Sequence, residues 1–208
     1  MPQKVDYKKD FKEYYLPKAE PGIIVVPPFK FAVIDGQGNP NGEGFAEDTA
    51  ALYSFSYAVK MSGKAGTAPA GYHECTVFPL EGIWDLVDHS KGLSDKGNLK
   101  YRIMIRQPEF MTEGLFERFL SETRQKKQNP SLNKITWEVV EDGMCCQMMH
   151  LGPYDEEPAS FLRMEQFCDE SGYKRSVKTH REIYLSDPRR TEPAKMRTVL
   201  RFKMEAKG

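Results

Sequence analysis

The order of elements in this chain repeats, and that repetition limits the folds open to it. From about residue 23 to 128 the sequence reads as strand, helix, strand, strand, closed by a second helix. From about 129 to 208 it runs through strand, helix, strand, strand again. Neither half can bury its sheet face without covering helices, and two like halves are most simply related by a pseudo-two-fold axis. The expected architecture is α+β: tandem strand-helix-strand-strand modules, antiparallel sheets with helices outside, and a central ligand groove where the modules meet.

The local signals behind this order are physical. FKFAVID (Phe29 to Asp35) is a strand closed by the turn-rich GQGNPNGEG, and Phe45, Leu52, Tyr53, Ser56 and Val59 recur at helical spacing until Ser62-Gly63. YHECTVFPL (Tyr72 to Leu80) and LKYRIMIR (Leu99 to Arg106) alternate as strands do. Thr112 is suited to cap a helix carrying Leu115, Phe116, Phe119 and Leu120, which runs into the polar RQKKQNP connector. In the second half, ITWEVVED and MCCQMMHL suggest a hairpin around Asp142-Gly143. A helix from about 156 to 171 then places Phe161, Leu162, Met164 and Cys168 on one side and stops at Gly172. VKTHREIYLS and RTVLRFKM complete the set, and the charged lead of residues 1–22 reads as an N-terminal extension to a domain spanning 23–208.

Composition excludes several classes. Thirty basic residues balance thirty acidic ones, so the chain lacks the field a duplex-binding protein uses to neutralise phosphates, and no direct nucleic-acid binding is expected. No apolar run approaches the roughly 18 residues that span a bilayer, and the opening MPQKVDYKKDFKEYY has no apolar leader, which predicts a cytoplasmic protein with no membrane partner. Cys75, Cys145, Cys146 and Cys168 show neither C-x-x-C nor zinc-type spacing. No Walker loop, H-E-x-x-H, nucleophile elbow or G-x-G-x-x-G occurs, so no cofactor and no metal are expected.

HREIYLSDPRR, beginning at His180, carries the functional question. As a strand stopped by Asp187-Pro188, it puts His180, Glu182 and Tyr184 on one face and Arg181, Ile183 and Leu185 on the other. The Ile183 and Leu185 face suits the helix side, which leaves Glu182 facing the groove. A carboxylate among aromatic rings is desolvated, and it either awaits a cationic ligand or exchanges a proton with a reacting one.

HLGPY followed by a helix, EIYLSDP, the closing TVLRFKM strand and LEGIW in the first half together resemble the GyrI-like small-molecule-binding family. The resemblance implies fused strand-helix-strand-strand modules around an aromatic-lined pocket. It also implies a buried glutamate at the EIY position, here Glu182, that meets ligands. Family members include effector domains of multidrug-responsive transcription regulators, a gyrase-inhibiting relative, and free-standing proteins linked to hydrolysis of cyclopropane-bearing toxins. The residues ahead of Pro21 are too few to form a DNA-binding module, which favours the free-standing branch.

The expected site is Glu182 as catalytic residue, with Trp84, Tyr154, Tyr184, His180, His150, Met104 and Met148 contacting the substrate. The bland readings are specific. Trp84, Met104 and Met148 can be core, Tyr154 a structural plug behind Gly152-Pro153, and the histidines satisfied structural groups. Two functions fit: a hydrolase acting on strained, cyclopropanoid electrophiles, or a protein that sequesters hydrophobic aromatic or cationic small molecules without turnover. A gyrase-inhibitor-like or regulator-effector role is the remaining alternative.

Overall fold

A computed structural model describes residues 4–90 and 96–208. In chain order the strands are β1 (Gly22–Val26), β2 (Phe29–Gln37), β3 (Leu80–Leu86), β4 (Leu99–Arg106), β5 (Thr136–Val140), β6 (Gly143–Leu151), β7 (Tyr173–Arg175), β8 (His180–Tyr184) and β9 (Arg197–Ala206). The helices are the short α1 (Tyr7–Asp10) and α2 (Lys12–Tyr15), then α3 (Glu43–Met61), α4 (Glu113–Lys126) and α5 (Glu157–Glu170). The chain divides into two compact units. The first holds Phe29–Leu80 and Trp84–Val140 with the opening residues, and the second holds Lys8–Pro28, Glu81–Ile83 and Glu141–Gly208.

The α+β class and the repeated order are as expected. One cycle runs β2, α3, β3, β4 and the other β6, α5, β8, β9, with the short β7 added after α5. In each cycle the opening strand pairs antiparallel with the closing one: Val33 lies opposite Met104 in β2–β4, and Met148 opposite Leu200 in β6–β9.

In the first unit, β2 takes β4 on one side and β5 on the other. Leu52, Phe55 and Val59 of α3 and Phe116, Phe119 and Leu120 of α4 are fully buried, as their spacing requires. Thr112 caps α4 by accepting a hydrogen bond from the Leu115 amide, 3.3 Å. Gly36 has a steric reason: a Cβ there would lie 2.4 Å from the ring of Tyr101.

Three local expectations differ. Residues 72–79 form no strand. Pro79 lacks a ladder donor, and the segment is instead tied to the chain start, with the Val5 carbonyl accepting from the Thr76 amide at 2.9 Å. The Asp142-Gly143 hairpin does not form. Gly143 does turn with φ +67°, but β5 pairs with β2 while β6 takes β1 and β9. Leu162, expected on the packed side of α5, is 68 % exposed.

In the second unit the paired strands run β1–β6–β9–β8, with β7 also on β9. Cys146, Met148, Leu200, Phe202 and Met204 form one face of this layer, and Met164 and Cys168 of α5 pack onto it. On the opposite face Arg201 reaches the Tyr14 carbonyl and the Gln147 side chain donates to the Glu13 carbonyl, so the N-terminal lead packs there.

Candidate functional site

The strand β8 alternates as read. Arg181 and Ile183 are buried, and His180, Glu182 and Tyr184 are half-buried on the other face. The expected placement of the helix is reversed, however. Glu182 lies opposite Leu200, on the face that α5 covers, and Phe161 of α5 meets the His180 ring at 4.4 Å. The Arg181 face instead carries buried ion pairs. Arg181 donates to Glu81 at 2.9 Å and to both oxygens of Asp142 at 2.8 and 2.9 Å, and the Tyr15 hydroxyl donates to Glu81 at 3.0 Å. These partners satisfy a guanidinium that alternation alone assigns to the apolar core, so that face takes the charged network and the other is left to Glu182.

The HLGPY turn builds the rest of the site. Gly152 has φ +131°, and a Cβ there would sit 2.9 Å from the Glu156 carboxylate, so a residue with no side chain fits. His150 locks the turn: its Nε2–H donates to the Pro153 carbonyl at 3.0 Å, and its Nδ1 accepts from the Ser160 hydroxyl at 2.9 Å. The turn delivers Tyr154 against Tyr184, ring centroids 5.9 Å apart and nearly perpendicular, and starts α5 at Glu157. Both ring nitrogens of His150 are thus engaged, one by the turn and one by α5.

Glu182 is held at both oxygens. His180 Nε2 donates to Oε1 at 2.9 Å and the Tyr184 hydroxyl donates to Oε2 at 2.8 Å, with the Glu182 side chain only 12 % exposed. Beside it stands Glu157, which the sequence reading did not single out. Glu157 is 6 % exposed, its Oε1 has no hydrogen-bond partner, and donor atoms of Glu157, His180 and Glu182 all lie within 4.8 Å of one another. Burial pushes the Glu157 carboxyl up to about 9, and the charges of Glu182 and Asp155 push the same way. Burial, then Glu182 and Glu157, also push the Tyr154 phenol up to about 12. Glu157 therefore favours its protonated form, beside the hydrogen-bonded Glu182.

Of the other expected site residues, Met148 and Met104 are fully buried. Met148 lies in the α5 core cluster and Met104 on β4 of the first unit. Trp84 lies in the first unit, stacked on Phe45 at 5.7 Å and beside Tyr101 at 5.7 Å. A separate cavity of about 610 Å³ opens in the second unit, walled by Ala19, Met148, His150, Asp155, Ser160 and Arg163 among others; Glu157, His180 and Glu182 are not among its walls.

The fold is α+β, and its second unit holds an acidic, aromatic cluster around Glu182. The chain belongs to the GyrI-like family, whose small molecule binding domain matches residues 19–203. Among solved structures it is similar to a conserved protein from Listeria innocua, with 37% identity, 97% of this chain and 100% of that one covered, and a TM-score of 0.90. It is also similar to a hydrolase from Listeria innocua, with 36% identity, 98% and 100% covered, and a TM-score of 0.91. The EcmrR C-terminal domain, at 12% identity, shares the fold with a TM-score of 0.55, covering 90% of this chain and 98% of its own. No curated protein matches the sequence.

Proposed function

We propose that the protein is a cytoplasmic hydrolase of hydrophobic, strained electrophiles of the cyclopropanoid class, with Glu182 as the base that activates water. The observation that carries this reading is the Glu182 carboxylate, largely buried yet fixed at both oxygens by His180 and Tyr184. A carboxylate so oriented is ready to accept a proton from water. The 36% identity to a hydrolase over nearly the whole chain supports the same class. In the reaction Glu182 takes a proton from water, whose oxygen bonds to the ring carbon. The strained C–C bond breaks, and its electron pair moves into the conjugated system, which then takes up a proton. The Tyr154–Tyr184 pair offers ring faces to a flat ligand.

A second reading, sequestration of cationic aromatic compounds without turnover, draws on the same rings around a carboxylate. Glu182→Gln separates the two. It keeps the size of the side chain but removes the base, so product formation, followed by mass spectrometry on a panel of strained and cationic aromatics, should fall about 10²- to 10⁴-fold while binding survives. A pure binder would form no product from any compound, and the variant would lose affinity for cations alone. Unchanged turnover in Glu182→Gln would remove Glu182 from the mechanism.

A further inference from the structure

Glu157 is the group that the water-activation step leaves unused. It is almost fully enclosed, its Oε1 meets no donor, and it stands within 4.8 Å of Glu182 and His180. Leaving a carboxylate oxygen buried and unpaired is unfavourable unless the group holds a proton or meets a ligand. Two carboxyls this close do not both ionise readily, and such a pair keeps one proton between them.

The separation of the two groups selects the chemistry. Displacement at a tetrahedral carbon aligns base, water, carbon, leaving atom and acid. This puts acid and base on opposite sides of the substrate, about 6.5–9.5 Å apart in the inverting glycosidases. Oxygens no more than 4.8 Å apart can share one water through two ordinary hydrogen bonds of about 2.8 Å. That spacing suits addition to a trigonal carbonyl carbon, where the entering oxygen and the oxygen being protonated end on the same atom. The paired carboxyls of the aspartic proteases share a proton in this way.

We propose that Glu157 and Glu182 form an acid-base dyad that adds water to the carbonyl carbon of aryl esters, a second hydrolytic activity of this site. The proposal rests on the reading of Glu182 as the base. Glu182 takes a proton from the bridging water as its oxygen bonds to the carbonyl carbon. The carbonyl π pair moves to its oxygen, which receives the proton of Glu157. On collapse the C–O bond to the aryloxy group breaks, and the aryl oxygen takes the proton from Glu182. Glu157 recovers its proton from the hydroxyl as the C=O bond reforms. The products are a carboxylic acid and a phenol, and both side chains return to their starting states.

The charged and titratable groups around Glu157 are Asp155 beside it, Glu182 and His180 on β8, and Tyr154 from the turn. With the carboxyl raised to about 9, ester turnover persists through neutral pH and falls above about pH 9. The test follows nitrophenolate release from p-nitrophenyl butyrate between pH 5 and 10, in the presence of EDTA, by the wild type and by Glu157→Gln, Glu157→Asp and Glu182→Gln, with melting temperatures recorded. Opening of a cyclopropanoid is followed in parallel. The expected result is ester turnover above buffer for the wild type, a kcat about 10²-fold or more lower in each Gln variant with KM little changed, and partial rescue in Glu157→Asp. Glu157→Gln should also lose the fall above pH 9. No ester turnover above buffer, or Glu157→Gln within about threefold of a folded wild type, overturns the dyad. If that occurs while Glu182→Gln still abolishes ring opening, the dyad alone is wrong. If esters are cleaved in the expected pattern but no strained ring opens, the dyad stands and the strained-ring reading fails.

Discussion

Replacing Arg181 with Met tests the face of β8 that carries the buried ion pairs. The guanidinium is 4 % exposed and makes three hydrogen bonds of 2.8–2.9 Å to Glu81 and Asp142, which are themselves 2 % and 9 % exposed at the side chain. Met fills much of the volume but leaves two buried carboxylates without their main partner; Arg201 and Lys203 remain at 4.0 Å from Asp142. Removing one member of a buried ion pair destabilises by about 3–5 kcal/mol. For a chain of this length, 1 kcal/mol moves the midpoint by about 2–4 °C, so Tm should drop by roughly 6–20 °C at pH 7. The pH dependence has a definite sign. Burial by itself would raise the Asp142 carboxyl, but Arg181, with Arg201 and Lys203, outweighs it and holds the group below its ordinary value. A depressed carboxyl stabilises the fold above its unfolded value of about 3.9, and that contribution is lost as pH falls through the folded value. The gap between wild type and Arg181→Met should therefore narrow below about pH 4. Thermal and urea unfolding followed by circular dichroism at pH 7 and pH 3 measure both quantities. A variant within about 1 kcal/mol of wild type at pH 7, the scale of an exposed surface pair, or a gap unchanged at pH 3, would refute the reasoning.

Two further outcomes follow from single contacts. Gly36→Ala places a Cβ about where the Tyr101 ring lies, 2.4 Å away, and should destabilise the first unit by about 1–3 kcal/mol, with a shift in Trp84 fluorescence as Tyr101 moves against it; urea unfolding and emission spectra check this. Tyr184→Phe removes the donor to Glu182 Oε2, a hydrogen bond to a charged group that contributes about 1.5–3 kcal/mol, so Tm should fall by roughly 3–12 °C and, with Glu182 less firmly held, turnover by roughly 10- to 100-fold; steady-state kinetics beside a melting curve decide it.

The fold was legible because its signals are local. Helical spacing located α3, α4 and α5, and Thr112 and Gly172 marked ends that the structure keeps. Where reading failed, the deciding contacts were distant. Arg181 looked like an ordinary cation on an apolar face, and its partners lie 39 and 100 residues away, so nothing nearby signalled that this face would be sealed by ion pairs and that α5 would cover the other. Asp142-Gly143 has the chemistry of a tight hairpin, yet the flanking strands find better partners in β2 and in β1 and β9. Glu157 could have been found. Glu157, Phe161, Met164 and Cys168 follow one another at intervals of four, three and four, so the acid heads the buried stripe of α5. An acid at the start of a helix is also a favourable partner for the helix dipole, so its residue type alone does not signal burial.

The two faces of β8 show how one kind of side chain is given two uses. On the Arg181 face, Glu81 and Asp142 meet a guanidinium that never deprotonates, and with Arg201 and Lys203 it holds the Asp142 carboxyl below its ordinary value. On the other face, Glu182 is paired to an imidazole and a phenol, both of which can exchange protons, and Glu157 Oε1 meets no donor. A buried carboxyl with an arginine partner strengthens the fold and is chemically inert. Under the proposed hydrolysis, a carboxyl given His180, Tyr184 and a second acid is less stably placed but keeps an exchangeable proton for the reaction to use. The charged network also holds β8 from behind, through Arg181 on the face opposite Glu182.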